Sequence, residues 1–474
     1  MRPFEMGLFI VCLTGSLYLF AVNAPKRGVV LRVAWPVLFL LAFAGHAAAE
    51  GLRWQMYPLY LGALILAVAS LLNSGPRPAL GRWGGFALTL LLVLAGGFLS
   101  SALPVFRLPA VAKPLGTFNL FLTDTSREES YAATPGGPRQ FMVQVWYPAD
   151  AASVAGKAPA PWSREISAIG SELAKGEGLP TFLLEHLDYV ESNAYTDAAP
   201  EGPAEKRLPV VLYSHGWTGF RTIAASECER IAAAGFIVIA PDHTYGSAGT
   251  VFPDGKVLLN NPKAMPEKND PERQTGIEKL VDSYVGDLRF LLNTLPRLDS
   301  GEEASPLKGR IDLARIGVFG HSTGGGAAVE LAKSDERIKA IAGLDIWGEP
   351  VSQEFRALPR PIPVASIRSQ DWHDTRTVDR DMLHQFLDTF GEPKYDLYLD
   401  GSRHGDFTIV PLLSPFMDKL VPHQRGTTPA HEALDSVDGF LAAFFLQSLV
   451  PDSGVSLPAA PATSHPLLKQ AKHK

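Results

Sequence analysis

Two kinds of hydrophobic pattern divide the chain near residue 108. Before it, apolar positions run in long blocks at 7–22, 29–49, 57–72 and 86–105, separated by short turns carrying Pro25, Lys26, Arg27, Arg53, Pro76, Arg77, Pro78 and Arg82. Each block approaches the roughly 20 residues a bilayer-crossing helix needs and lacks the polar face of a soluble helix. A cleaved leader would account for the first block alone. The pattern therefore predicts a membrane domain, 1–108, with four transmembrane helices.

From 109 onward the period shortens. Residues 117–122 and 140–147 alternate apolar and polar, as half-buried antiparallel strands do. The runs 210–213, 237–240, 316–319, 341–344 and 364–367 are nearly continuously apolar, which suits parallel strands buried on both faces. Helical periods at 222–234, 275–295, 325–333, 377–390 and 431–449 lie between and after them, with a last strand at 395–399. This alternation predicts an α/β domain over 109–450, a mostly parallel sheet flanked by helices. Two stretches interrupt it: 151–207, rich in Ala, Pro and Gly with a helical patch at 182–190, and the polar, proline-bearing 246–273. Long insertions beside a sheet's ligand edge serve as lids or entrance walls. Residues 451–474 lack apolar periodicity and read as a disordered tail.

Composition narrows the possible partners. At 474 residues the chain exceeds one usual domain. With 43 basic and 49 acidic side chains its net charge is -6, which offers no field for nucleic acid. The two cysteines, Cys12 and Cys228, lie far apart and form no disulfide framework. Lys26, Arg27, Arg77 and Arg82 gather in the first and third loops, against Arg2, Arg53 and Arg107 on the other side. The positive-inside rule then puts both loops in the cytoplasm and predicts a multi-pass protein whose α/β domain, with an even helix count, lies on the extracytoplasmic side.

Candidate chemistry begins at Gly320-His321-Ser322-Thr323-Gly324, between the apolar run 316–319 and a small-residue helix start. That is the nucleophile elbow of an α/β-hydrolase fold, where small residues two positions either side of the serine relieve crowding at a strained turn. The serine needs a base. In this fold the chain order is serine, acid, histidine, with the histidine on the loop after the last strand, where His404 stands. The acid is Asp345, after strand 341–344, or Asp371, after strand 364–367; spacing does not choose. The oxyanion hole requires the backbone N–H of Thr323 and one from the loop after 210–213, where Gly216 allows close approach and Trp217 supplies the donor. Phe220, Tyr245, Trp347, Trp372 and Phe407 lie near strand ends as candidate lining of an acyl pocket.

Ser214-His215-Gly216 with Gly219-Phe220-Arg221-Thr222, Gly235-Phe236-Ile237-Val238, the elbow, Leu344-Asp345-Ile346-Trp347 with Pro350, and His404 with Asp406-Phe407-Thr408 together resemble the platelet-activating factor acetylhydrolase family of serine lipases. The likeness spans roughly 116–449. It implies Ser322 as nucleophile, Asp345 as acid, His404 as base, and Trp217 and Thr323 as oxyanion donors. It also implies hydrolysis, without metal or cofactor, of short or oxidised sn-2 acyl chains of phospholipids. Trp217 is larger than that family's usual aliphatic residue, and the membrane region is an addition. Two other readings stand beside it: a cutinase-like hydrolase of short-chain or aromatic esters and polyesters, and a non-catalytic receptor or scaffold on the same fold. Retention of Ser322, Asp345 and His404 together argues against the scaffold.

Overall fold

Continuous burial of the apolar runs builds the central sheet. The computed structural model describes residues 1–21, 29–72, 79–132, 136–176, 178, 180–458 and 464–471. They divide into two compact units: Met1–Phe106 with Phe182–Val190 and Leu413–Phe416, and the remainder.

In the larger unit the strands are β1 (Leu115–Glu128), β2 (Pro138–Pro148), β3 (Ala194–Thr196), β4 (Leu208–Ser214), β5 (Ile237–Pro241), β6 (Gly249–Val251), β7 (Val257–Leu259), β8 (Ile311–His321), β9 (Ile338–Leu344), β10 (Arg360–Ser369), β11 (Phe390–Leu399) and β12 (Leu468–Gln470). Ten form one sheet in the order β12-β11-β10-β9-β8-β4-β5-β2-β1-β3, while β6 and β7 make a separate hairpin. The six strands from β11 to β5 pair in parallel. β2 joins antiparallel to β5 and to β1, as its alternating pattern requires.

Both faces of the central strands are covered. Val210, Leu212, Ile316 and Val318 belong to a core completed by Leu280, Leu288, Leu291 and Leu295 of the helix Arg273–Ser300. On the opposite face Tyr213 packs against Phe319 at 4.7 Å between ring centres, and Phe319 against Phe445 of the helix Ala430–Leu449 at 6.2 Å. Burying each such side chain contributes about 1.5–3 kcal/mol, which fixes the register of the strands that end at the site.

One expectation needs correction here. Residues after Val450 are not wholly irregular: β12 pairs antiparallel with β11, Leu397 opposite Gln470 and Leu399 opposite Leu468, because Leu468 finds a fully buried place on that edge. Within the insertion 246–273, Thr250 and Leu258 pair across the β6–β7 hairpin.

The smaller unit holds the helices α1 (Pro3–Ala21), α2 (Val29–Glu50), α3 (Tyr57–Leu72) and α4 (Ala79–Ala102). Leu8, Cys12, Phe39, Met56, Leu59, Ala63, Leu66 and Val93 are its core, while Leu40, Leu41, Leu64, Leu91 and Phe98 are exposed. An apolar exterior of this kind suits lipid rather than water. Among the described residues three helices, not four, are long and apolar enough to cross a membrane, over Val33–Glu50, Trp54–Leu71 and Trp83–Ala102. The apolar part of α1, Pro3–Tyr18, is shorter. It also opens on Glu5, which is buried against Arg53 at 2.7 Å and Arg2 at 2.9 Å. The loop charges Lys26, Arg27 and Arg77 lie outside the described residues, as does the side chain of Arg82.

Phe182–Val190 belongs to this helical unit through particular contacts. Phe182 meets Trp54 edge-on at 5.5 Å, Trp54 Nε1 donates to the Leu183 carbonyl at 3.3 Å, and Tyr189 donates its hydroxyl to the Leu52 carbonyl at 2.9 Å. The helical patch expected there is a single 3-10 segment, Glu185–Tyr189.

Candidate active site

Ser322 stands where β8 turns into the helix Thr323–Ser334, with φ 55° and ψ -119°. A non-glycine residue there costs about 1–3 kcal/mol and persists only when its surroundings over-determine it. They do: Ser322 N donates to the Leu344 carbonyl at 2.9 Å, and its own carbonyl accepts from Gly326 N and Trp347 N, both at 3.1 Å. The flanking glycines are needed for space. A methyl on Gly320 would fall on the Gly324 backbone, and one on Gly324 on the carbonyls of Ser214 and His215.

Asp345 directly follows β9, lies in the left-handed region with φ 43°, and is fully buried. Its Oδ1 accepts from Ser369 N at 2.7 Å, and its Oδ2 from Ser369 Oγ at 2.7 Å and His404 Nδ1 at 2.9 Å. As the carboxylate offers only acceptors, His404 carries its hydrogen on Nδ1 and leaves Nε2 free to take a proton. Asp371 lines the same cavity but hydrogen-bonds to Ser402 and Thr375 through its backbone, not to His404.

Stacked rings hold the imidazole in place. Trp372 lies flat on His404, 4.5 Å between centres and 5° between planes, and the Arg376 guanidinium sits 4.8 Å from the Trp372 ring centre. His321 packs on His404 at 4.4 Å and donates from Nε2 to the His404 carbonyl at 3.1 Å. Burial, then the neighbouring His404 ring, hold His321 well below the usual histidine range, so it stays neutral. His321, Asp345 and His404 place ligand-type atoms within 4.8 Å of one another. The Asp345 and His404 atoms already satisfy each other, which accounts for the cluster as a hydrogen-bonded line.

A cavity of about 680 Å³ opens over these groups. Of the residues expected in the site, Ser322, His404, Trp217, Thr323, Trp347 and Trp372 line it. Thr323 is the first helical residue, so its N–H has no acceptor one turn back. Gly216 comes within 3.0 Å of Ser322 Cβ when given a methyl, which places the Trp217 loop against the serine. The other three expected lining residues lie elsewhere. Phe220 packs edge-on against Trp162, the Tyr245 carbonyl serves the Asn261 N–H within its own loop, and Phe407 is buried beside His321. Proximity to a strand end did not distinguish a ring turned to the cavity from one turned to the core.

The wall also holds residues that sequence reasoning did not single out. Met265, Lys268 and Arg273 come from the insertion 246–273, in keeping with an entrance wall. Glu349 ties Arg273, at 3.1 Å to each oxygen, to Trp347 Nε1 at 3.1 Å. The spacing of Trp372 and Arg376, four apart at a helix, was the available signal for their contact.

Only one fold class sets a strained serine between a central parallel strand and its helix, then brings an acid and a histidine from later strand ends in that chain order: this is an α/β-hydrolase. Within that class the chain belongs to the platelet-activating factor acetylhydrolase, isoform II, family, whose model matches residues 134–451. Platelet-activating factor acetylhydrolase of Gallus gallus is 24% identical over 277 residues, 52% of this chain and 63% of that protein. Cutinase est2 of Thermobifida alba is 26% identical over 198 residues, 41% of this chain and 52% of its own. A solved structure of a ferulic acid esterase from Streptomyces cinnamoneus matches with a TM-score of 0.62 at 26% identity, over 78% of this chain and 100% of that one. The chain thus spans less than two thirds of the length of these two curated relatives.

Proposed function

We propose that the protein is a membrane-anchored serine hydrolase that cleaves carboxylic esters through an acyl-enzyme. The reading rests on one observation: a strained serine and a histidine hydrogen-bonded at 2.9 Å to a buried aspartate face the same cavity. Ser322 Oγ attacks the ester carbonyl as His404 Nε2 takes its proton, and Asp345 stabilises the imidazolium that forms. The N–H groups of Trp217 and Thr323 receive the developing oxyanion. His404 then returns the proton to the leaving alcohol, and water repeats the sequence to free the acid.

Family membership supports short or oxidised acyl chains of phospholipids as the substrate class, with three apolar helices holding the enzyme where such lipids are concentrated. A second reading has its own support. Trp217, Trp347 and Trp372 line one cavity together with Arg273 and Arg376, which suits a planar aromatic acyl or alcohol group as well as a short alkyl chain. Purified protein assayed on 2-acetyl and long-chain phosphatidylcholines and on aromatic acid esters separates the two. Ser322→Ala is expected to lose all turnover and all fluorophosphonate labelling while keeping its melting temperature within a few degrees. Labelling that survives in Ser322→Ala would place the nucleophile elsewhere.

A further inference from the structure

Beneath the cavity lies a second serine–histidine–aspartate line that the proposed chemistry does not use. Ser214 Oγ is 2.9 Å from His243 Nε2, and His243 Nδ1 is 3.0 Å from Asp287 Oδ2. All three side chains are fully buried, so no ester can reach Ser214. Its hydrogens nevertheless run in a determined direction. Asp287 is gripped by Arg139 through both oxygens, at 3.0 and 2.7 Å, and by Arg127 at 2.7 Å. An acceptor-only Asp287 puts the hydrogen of His243 on Nδ1, and Ser214 then donates to Nε2. Tyr284 stacks on the His243 ring at 3.7 Å and 17°, fixing its plane.

The line continues upward to the site. His243 N donates to His215 Nε2 at 3.0 Å, and the Ser247 hydroxyl lies 3.0 Å from the same nitrogen. With Nε2 accepting, His215 carries its hydrogen on Nδ1, which lies 2.7 Å from the Gly216 carbonyl oxygen and donates to it. Gly219 N donates to that oxygen as well, at 2.9 Å. The Gly216 carbonyl and the Trp217 N–H belong to one planar trans peptide and point in opposite directions. Two donors that pin the carbonyl therefore aim the N–H. Thr218 N, bound to the Gly246 carbonyl at 2.9 Å, fixes the next peptide.

We propose that Asp287, His243 and His215 form a buried orienting line that aims the Trp217 N–H at the oxyanion, with His215 as the positioning residue. This rests on the esterase reading above and on Trp217 as an oxyanion donor. His215 touches no reacting atom. It acts by denying the Gly216–Trp217 peptide the rotation that would swing the N–H off the developing charge, an effect confined to the transition state.

The test compares wild type, His215→Ala and His215→Asn on one soluble ester, with active sites counted by fluorophosphonate. The expected result for His215→Ala is a fall in kcat of about ten- to a hundredfold, less than loss of a whole oxyanion donor, with KM within about twofold. Affinity for an aryl trifluoromethyl ketone, which mimics the tetrahedral adduct, should weaken by the same factor. His215→Asn offers an amide hydrogen near the Nδ1 position and should recover most of the loss. If the alanine variant does not fold, His215→Gln fills the space without placing a donor there and takes its part. An unaltered kcat, an asparagine no better than alanine, or a kcat loss with unchanged ketone affinity overturns the proposal. A wild type that hydrolyses no ester overturns the functional reading and this one with it, whereas an active wild type with indifferent variants overturns this one alone.

Discussion

Asp345 holds three donors from full burial: its two oxygens serve Ser369 twice and His404 once. Asp345→Asn keeps the shape but puts an amide where an acceptor stood, turning His404 toward the wrong tautomer. Turnover on a soluble ester is expected to fall by several orders of magnitude, on the scale of about 10⁴ known for such a change in a serine protease. Asp371→Asn, on the same assay, should stay within a few-fold of wild type; the opposite result would move the acid to the end of β10. Sequence order alone could point to Ser322 and His404, because an elbow and a post-strand loop are local signals. It could not choose between the two aspartates, since both follow strands that end at the same sheet edge. Nor could it foresee the Ser369 contacts or the stacking of Trp372 on His404, which exist only once β9, β10 and the His404 loop are brought side by side.

At the scale of elements, every central strand was readable because a parallel strand buried on both faces must be apolar throughout. β12 was not, since three residues with one buried leucine carry no period. The helices Thr323–Ser334 and Arg273–Ser300 were readable too, yet they meet through a feature no pattern announces. Glu330 of the first helix is pushed up to about 7 by burial and by its neighbour Asp282, itself raised, on the second. A carboxyl that binds its proton more tightly when folded than when unfolded stabilises the fold fully below its unfolded pKa, and that contribution is lost as pH rises to the folded value. The melting temperature should therefore fall by a few degrees between about pH 5 and pH 8. Asp438, likewise raised to about 7 by burial, adds in the same direction. Glu330→Gln should flatten part of that slope, and an unchanged slope would show that the pair does not titrate there.

For the whole molecule, orientation depends less on α1 than a count of helices suggests. If Lys26 and Arg27 lie on the cytoplasmic side and α2, α3 and α4 each cross, three crossings would deliver Arg107 to the opposite side whether or not α1 also spans. Alkaline phosphatase fused after Val450 is thus expected to be active outside the cytoplasm, where a cytoplasm-restricted fluorescent reporter would be dark. The reverse pattern would overturn the loop-charge argument and leave the catalytic one intact.

Chain continuity between the two units bears on whether the proposed anchored hydrolase could be released from a membrane. The path moves from one unit to the other after Phe106, on both sides of Phe182–Val190 and on both sides of Leu413–Phe416. Many anchored ectodomains are shed by one protease cut in a single stalk; here a cut beside Arg107 severs one of five junctions. Residues 182–190 would remain seated on Trp54 and Leu52, and Phe416 would stay against Phe98 at 5.9 Å. On the proposed reading, nicked protein should accordingly sediment with the membrane fraction and keep its esterase activity there, an arrangement that would favour residence over release.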